Sequence, residues 1–216
     1  KKMIENLGLK RYDKVVATYA GSRTARGLAA RYSCLKGEVQ MEKFTFLCDI
    51  AKETGFTAAG LITIDRIPFD PAFRKACEAN QCGQYGKCWT CPPSVGPIDE
   101  LITEAKAFPY AIVYQTVGGI EDSYDFEGMM EVAASHNRNT RTFIERTAKV
   151  WKGDFLHLSA GGCHYCERCA KRDEEPCRFP DKALASLEAY GVAVSQLAPR
   201  VGMKYINGVN TVTYFG

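Results

Sequence analysis

The sequence predicts an α/β protein: a mixed sheet flanked by helices, with cysteine-rich metal-binding loops and a C-terminal β-hairpin. Three observations support this fold class. Apolar runs of strand length alternate with amphipathic stretches of helix length, eight of the ten cysteines fall in two tight groups, and an Asn-Gly pair near the C-terminus separates two short apolar segments. With 216 residues, of which 46% are hydrophobic, the chain can bury one substantial core.

Charge divides the chain into two parts at about Met41. Residues 1–40 contain nine Lys and Arg against three Asp and Glu, whereas the remainder contains nineteen against twenty-two. We therefore predict a basic N-terminal arm over residues 1–40 and a cysteine-rich metal-binding α/β domain over residues 41–216. The charge of the arm suits an acidic partner, a membrane surface or a nucleic acid, but a solvated helix surface explains it more simply, and we do not expect nucleic-acid binding.

The first predicted elements of the body are a helix over residues 41–55 and a buried strand over residues 56–67. Apolar side chains recur at helical spacing from Phe44 to Ala51, and Gly55 provides a C-terminal stop. The segment after this glycine is dominated by apolar residues, as in a strand that is covered on both faces.

A second helix is predicted to start with Pro97 at its first position and to end before Pro109. Acidic residues follow the proline in the first turn, where they interact favourably with the helix dipole. Residues 110–117 then predict a second strand, which Gly118 and its neighbouring glycine close.

The longest predicted helix covers residues 125–151, and a strand over residues 154–159 follows it. The predicted inner face of this helix consists of large or apolar side chains: Phe126, Met129, Met130, Ala133, Ile144, Ala148 and Trp151. Further along the chain, residues 182–190 predict a helix that Gly191 ends.

Three more strands, over residues 192–198, 203–206 and 211–215, are predicted to complete the sheet. Asn207-Gly208 lies between the last two of them. Because this dipeptide favours the tight turn that joins two antiparallel strands, we predict a hairpin here.

The second cysteine group carries the strongest chemical signal. Cys163, Cys166 and Cys169 form a C-x2-C-x2-C run, and Cys177 follows it near Pro180. This spacing is close to the bacterial ferredoxin run, because cysteines at every third position of one loop can reach three corners of a cubane. A 4Fe-4S cluster is therefore the favoured cofactor, and a structural zinc loop is the alternative.

Residues beside this run are predicted to bind the same cofactor. Gly161 and Gly162 let the backbone approach closely, so that amides can point at cluster sulfides. Arg178 and the neighbouring basic residues place positive charge beside an anionic cluster, which would raise its reduction potential.

The first cysteine group comprises Cys77, Cys82, Cys88 and Cys91, all within fifteen residues. These thiols suit a second cluster or a zinc site equally well, and cysteines from both groups could also share one cluster. All four are candidate metal ligands. If only three of them bind, Cys88 is the predicted spare.

The remaining cysteines and histidines favour structural roles. Cys48 lies on an apolar helix face and is predicted to be a buried thiol, whereas Cys34 has no interpretable context. We predict a solvated or capping role for His136 and a core position for His157. Since no secretory signal and no apolar run of membrane-spanning length is visible, we expect a cytoplasmic protein without membrane insertion.

Several spaced motifs occur together in this chain. They are Phe69-Asp70-Pro71, Arg74, Cys77, Tyr85-Gly86, Trp89, Cys91-Pro92-Pro93, Gly162-Cys163, Cys166, Cys169, Pro176-Cys177-Arg178, Pro180 and Ser186 to Gly191. From about Met41 onward, the chain thereby resembles the prokaryotic domain-of-unknown-function family 2284, whose members are described as predicted metal-binding proteins. The resemblance implies that both cysteine groups bind metal, and it implies no particular reaction.

Three functions are compatible with these residues. In the favoured hypothesis, one or two 4Fe-4S clusters pass electrons to or from a redox partner protein. A cluster with one iron that lacks a cysteine ligand could instead act as a Lewis acid, so the sequence leaves open whether the protein is an enzyme. The third hypothesis is a zinc-stabilised interaction module, in which the metal provides folding energy alone.

Overall fold

The computed structural model describes residues 41–216, and the predicted arm over residues 1–40, including Cys34, lies outside the described residues. The helices are α1 (Thr45–Thr54), α2 (Phe73–Glu78), α3 (Ile98–Lys106), α4 (Phe126–Val150) and α5 (Val194–Arg200). The strands are β1 (Ala58–Thr63), β2 (Tyr110–Gly119), β3 (Leu158–Ser159), β4 (Ala185–Ser186) and β5 (Thr211–Phe215). Within residues 41–216, no helix is both long enough and apolar enough to cross a membrane.

The main sheet consists of three antiparallel strands in the order β1–β2–β5. β2 is central, since Gln115 pairs with Ala58 on one side and with Phe215 on the other. Apolar residues on one face of this sheet form a core with α5, and those on the other face form a core with α1 and α4. β3 and β4 form a separate, parallel pair of two residues each.

The predicted helices α1, α3 and α4 are confirmed, because their ends are marked by local signals. Gly55 ends α1 in the left-handed conformation, at φ +110°. The Asp125 side chain caps α4 by accepting a hydrogen bond from the Gly128 N–H at 2.8 Å. Pro97 caps α3 and precedes its first residue, so this helix starts one position later than predicted.

Several predicted strands have different bounds in the structure. The segment over residues 56–67 forms β1 and then a 3-10 turn, Ile64–Arg66. β2 continues through both glycines that were expected to close it, since Gly118 and Gly119 pair with β5. Only the last two residues of the predicted strand over residues 154–159 form β3.

The predicted inner face of α4 is wrong. Phe126 and Met130 are 69% and 72% exposed. The side chains that α4 buries are instead His136, Thr140, Phe143 and Thr147. Threonine can be buried on a helix when its hydroxyl bonds to a carbonyl one turn earlier, as Thr147 does to Phe143 at 2.8 Å. The face of α4 that packs against the sheet is therefore mostly polar, so a pattern of apolar residues along the helix does not reveal it.

The predicted helix over residues 182–190 is also wrong. This segment contains β4 between two short 3-10 turns, and Gly191 ends it in the left-handed conformation at φ +73°, as predicted. Ala185 and Tyr190 pack with α3, whereas Leu187 enters the core between the sheet and α5. Because turns alternate with extended backbone along this segment, its side chains pack into two different hydrophobic cores.

The C-terminal region contains two further corrections. The predicted strand over residues 192–198 is wrong because most of it lies in α5, where Leu197 and Ala198 are 1% and 0% exposed. Residues 203–206 form no strand, and β5 pairs with β2, so Asn207-Gly208 does not join a hairpin. The α/β class itself is confirmed, with a C-terminal strand in place of the hairpin.

His136 is fully buried, so the prediction of a solvated or capping histidine is wrong. Its side chain is 1% exposed, and its Nδ1 lies 2.8 Å from the Thr116 hydroxyl. The rings of Phe56, Tyr114 and Tyr214 surround the imidazole, with centroids 5.5 to 6.0 Å away. Burial lowers the pKa of His136 to about 4, which keeps the imidazole neutral at pH 7.

His157 is partly buried on the segment that leads into β3. Its ring stacks on that of Phe155 with the centroids 4.9 Å apart, and Phe155 itself is 38% exposed. Burial lowers the pKa of His157 to about 4. This position agrees with the predicted structural role, although the side chain lies at the margin of the core.

Acid should destabilise the fold through His136. Its pKa is about 4 in the fold and about 6.5 in the unfolded chain, so its stabilising contribution is complete above pH 6.5 and is lost as the pH falls toward 4. Between pH 7 and pH 4.5, the free energy of unfolding should fall by about 2 kcal/mol more in the wild type than in His136→Gln. Denaturant unfolding of both proteins at both pH values measures this difference, and equal losses would contradict the role of His136.

Candidate metal centre

The first cysteine group lies on α2 and on the loop that follows it. Cys77 is in the last turn of α2, and Gly83 and Gly86 turn the loop with φ of +71° and +70°. Burial raises the pKa of the Cys77 thiol, which the charge of Arg74 opposes and the nearby Cys82 reinforces. Cys82 follows Cys77 by five residues and lies near it.

Cys91 is the last cysteine of the first group along the chain. The pKa of its thiol is raised by its hydrogen bond to Cys88, by burial, and by the nearby Cys88, Cys82 and Cys77. The loop around it is held by backbone hydrogen bonds, including one from the Gly86 N–H to the Pro92 carbonyl at 2.8 Å. All four cysteines of the first group thus belong to one compact segment.

The second cysteine group lines a small cavity. Five thiols contribute to its wall: Cys88, Cys163, Cys166, Cys169 and Cys177. The side chains of Trp89, Tyr165, Arg178 and Phe179 complete most of the remaining wall. The structure therefore brings together the four cysteines of the predicted ferredoxin-like run, and it adds one cysteine from the first group.

Cys88 lies between the two groups. It is 3% exposed, and it faces the cavity of the second group while its sulfur accepts a hydrogen bond from the Cys91 thiol. That hydrogen bond, together with others from Thr90 and from the backbone N–H of Cys163, lowers the pKa of the Cys88 thiol. The thiol that the sequence suggested as a spare is the one placed within reach of both groups.

Two contacts hold the cysteine loops against each other. The Trp89 indole N–H donates to the Glu175 carbonyl at 2.9 Å, and the Lys171 ammonium lies 4.7 Å from the centre of the same indole. Gly162 lies directly against Cys91, since a Cβ atom at this position would be 3.4 Å from the cysteine sulfur. A Cβ atom at position 162 would thus be in van der Waals contact with the first group.

The charges around the second group are partly neutralised. Arg168 forms an ion pair with Asp173 at 2.5 Å, and Lys171 forms another with Glu174 at 2.6 Å. Arg178 lies in the cavity wall and donates a hydrogen bond to the Arg168 carbonyl at 2.5 Å. Of the predicted cofactor-binding cations, Arg178 is thus the one that faces the thiols.

Arg74 is a further site residue, which the sequence analysis did not single out as a ligand or cofactor contact. It lies one helical turn before Cys77 on α2, and its Nη1 donates to the Gly96 carbonyl at 2.9 Å. Its Nε and Nη2 are buried, and no described residue accepts a hydrogen bond from them. The i, i+3 spacing from a cysteine on a helix is the sequence signal that could have identified it.

The cysteine side chains line a common space, but they do not converge on one point. Among residues 41–216, no three His, Cys, Asp or Glu side chains converge closely enough to hold a metal ion, and the cavity encloses only about 20 Å³. Cysteine side chains reach a common centre by rotation about χ1 and by small shifts of their loops. A metal ion at either group would therefore require the thiols to move together first.

Cys48 is separate from both groups. It is buried on α1 at 8% exposure, and burial raises the pKa of its thiol. The predicted buried core thiol is confirmed, and this cysteine provides a matched control for substitutions in the two groups.

Both cysteine groups lie within the part of the chain that matches a known protein family. The model of one family, described as "Predicted metal-binding protein (DUF2284)", matches residues 60–216. The matched range includes the eight cysteines of both groups and Arg74. No significant similarity to a curated protein or to a solved structure is found.

Proposed function

The chain belongs to the DUF2284 family of predicted metal-binding proteins, and from this premise we propose that residues 41–216 hold two 4Fe-4S clusters and pass electrons to or from a partner protein. The observation that carries the proposal is the wall of five thiols around one cavity, with the three remaining thiols of the first group, Cys77, Cys82 and Cys91, next to it. Two 4Fe-4S clusters need four cysteine ligands each, and the eight thiols lie in two adjacent sets.

The donor chemistry favours iron–sulfur over zinc. Among the described residues, the cavity wall contains cysteines but no His, Asp or Glu, and three of its cysteines come from one C-x2-C-x2-C loop. A zinc site more often combines two short cysteine pairs from separate segments. The buried Arg74 donors and the cavity-facing Arg178 suit centres whose thiolates and sulfides carry net negative charge.

The proposed ligands divide by position. Cys163, Cys166, Cys169 and Cys177 hold the second cluster, and Cys77, Cys82 and Cys91 hold the first. Cys88 supplies the fourth ligand of the first cluster, since it is hydrogen-bonded to Cys91. Because Cys88 also lies in the wall of the second group's cavity, it connects the two proposed centres.

Bound 4Fe-4S clusters would each accept or donate one electron at a time. The protein supplies the thiolates, and its aromatic residues limit access of water, with Trp89 between the loops and Tyr165 packed on Phe179 at 5.0 Å. Cys82 is exposed, so the first group lies at the surface. An electron from a docked partner would enter there and move on through the Cys91–Cys88 contact.

Protein produced without oxygen should be brown and should contain about eight iron and about eight acid-labile sulfide per chain. The reason is that two sets of four thiolates each complete one cubane. Metal analysis with a sulfide assay tests the content, and reversible bleaching by dithionite with an electron paramagnetic resonance signal tests the redox activity. Bound zinc without sulfide would contradict the proposal and would favour a zinc-stabilised module. A cluster that changes its spectrum with small substrate-like anions, but is not reversibly reduced, would favour an enzyme with an open iron.

A further inference from the structure

We propose that Arg74 donates hydrogen bonds to the metal centre of the first cysteine group and raises its reduction potential. This inference rests on the function proposed above. It concerns a residue outside the thiol set, and it can fail while the two clusters themselves are present.

The orientation of the guanidinium is fixed by one hydrogen bond. Nη1 donates to the Gly96 carbonyl at 2.9 Å, across a separation of 22 residues along the chain. This leaves the Nε and Nη2 edge, which is the edge that can donate two parallel hydrogen bonds to one acceptor group. Both atoms are shielded from solvent, and neither has an acceptor among the described residues.

A buried charged donor without an acceptor is costly. Such a group loses its hydrogen bonds to water and gains none in return, so buried guanidinium groups normally have a partner for each edge. Arg74 therefore requires an acceptor that the protein residues do not provide. Arg74 lies on α2 one helical turn before Cys77, and this spacing puts the two side chains on the same face of the helix, so the guanidinium lies on the side of the first group.

The neighbouring acids do not serve as this acceptor. Glu188 lies close enough to raise the pKa of Cys77, but its own carboxylate accepts hydrogen bonds from Ser186 and from the backbone. Glu78 follows Cys77 on α2 and is exposed to solvent. The thiolates and sulfides of a centre held by the first group are the remaining acceptors, because both carry negative charge.

A donor in this place has a predictable effect on redox chemistry. Reduction adds one electron to an already anionic centre, so a nearby positive donor stabilises the reduced form more than the oxidised form. Arg74 thus raises the potential of the first centre. The second centre, whose cavity wall contains Arg178 and not Arg74, is affected much less.

The test compares Arg74→Gln with Lys75→Gln, which removes the same charge from the next residue of α2, where the side chain is exposed. Iron and sulfide are quantified first, and both potentials are then measured by redox titration followed by electron paramagnetic resonance. Arg74→Gln should shift one potential downward, or empty that centre alone and so lose about half of the iron. Lys75→Gln should leave both potentials and the metal content as in the wild type.

Arg74→Lys provides a second variant that keeps the charge and loses the two-pronged donor edge. Its shift should have the same sign as that of Arg74→Gln and be smaller, and it decides the question if Arg74→Gln does not fold. A fully loaded Arg74 variant with both potentials unchanged would overturn the role of Arg74 and leave the proposed function standing. Wild-type protein without iron and sulfide would overturn both proposals.

Discussion

The Cys166→Ser variant should retain roughly half of the iron and acid-labile sulfide of the wild type. Cys166 is the middle cysteine of the C-x2-C-x2-C run and lines the cavity of the second group. Serine has nearly the same size as cysteine, but it is a poor ligand for cluster iron, so the second cluster should be lost while the first is kept. Metal and sulfide analysis of oxygen-free protein, with the absorption spectrum per iron, provides the measurement.

The matched control for this experiment is Cys48→Ser. It makes the same chemical change at a buried thiol on α1, away from both groups. It should destabilise the fold slightly and leave the iron and sulfide content unchanged. A Cys166→Ser protein with full iron content would show that the second group is not a cluster site, and loss of all iron in this variant would show that the groups share one cluster.

Removing the metal should release the two cysteine loops and leave the main sheet folded. Backbone hydrogen bonds in the second loop are confined to short turns and to the two-residue pair of β3 and β4. The main sheet, in contrast, has two complete antiparallel ladders and a hydrophobic core on each face. In the proposed loaded protein, thiolate–metal bonds would be the principal stabilisation of the loops, and binding free energy at such sites can reach roughly 10 kcal/mol.

Hydrogen exchange followed by mass spectrometry can separate these regions. After anaerobic chelation, amides of residues 161–178 and 80–91 should exchange at least about tenfold faster than in the loaded protein. Peptides from β2 serve as the internal control and should keep their protection. Equal acceleration in β2 would show that the metal stabilises the whole fold, and unchanged loops would show that metal ligation does not hold them.

The elements that the sequence predicted correctly have their signals close by in the chain. Asp125 caps α4 and Gly55 ends α1, and each acts on backbone groups within one helical turn of its own position. The spacing of the cysteines is also local, so the thiol groups could be predicted before their spatial relation was known. Five of the eight thiols line one cavity, and metal binding by these cysteines, like the identity of the metal, stays a proposal.

The errors occur where partners distant in sequence decide the structure. Residues 192–198, most of which form α5, include several apolar residues that suit a strand as well as a helix, and the choice depends on packing beneath β2. β5 pairs with a strand about a hundred residues earlier, which overrides the turn signal of Asn207-Gly208. His136 was misjudged because its polar neighbours along α4 give no indication of the aromatic rings that reach it from other elements.

Cys88 and Arg74 show the same limit at the site itself. By spacing alone, Cys88 is the least regular member of its group, yet its hydrogen bond to Cys91 and its contact with the second cavity place it between both groups. The importance of Arg74 follows from two unpaired donor atoms, a property that exists only after folding.

The contact of Trp89 with Glu175 and Lys171 gives the protein an intrinsic fluorescent reporter. The chain has only two tryptophans, and Trp151 packs on Phe44, with ring centroids 5.2 Å apart, on a different part of the fold. With Trp151 replaced by phenylalanine, the remaining emission would come from the junction of the two loops. Assembly of the centres could then be followed in real time by light, with no label attached.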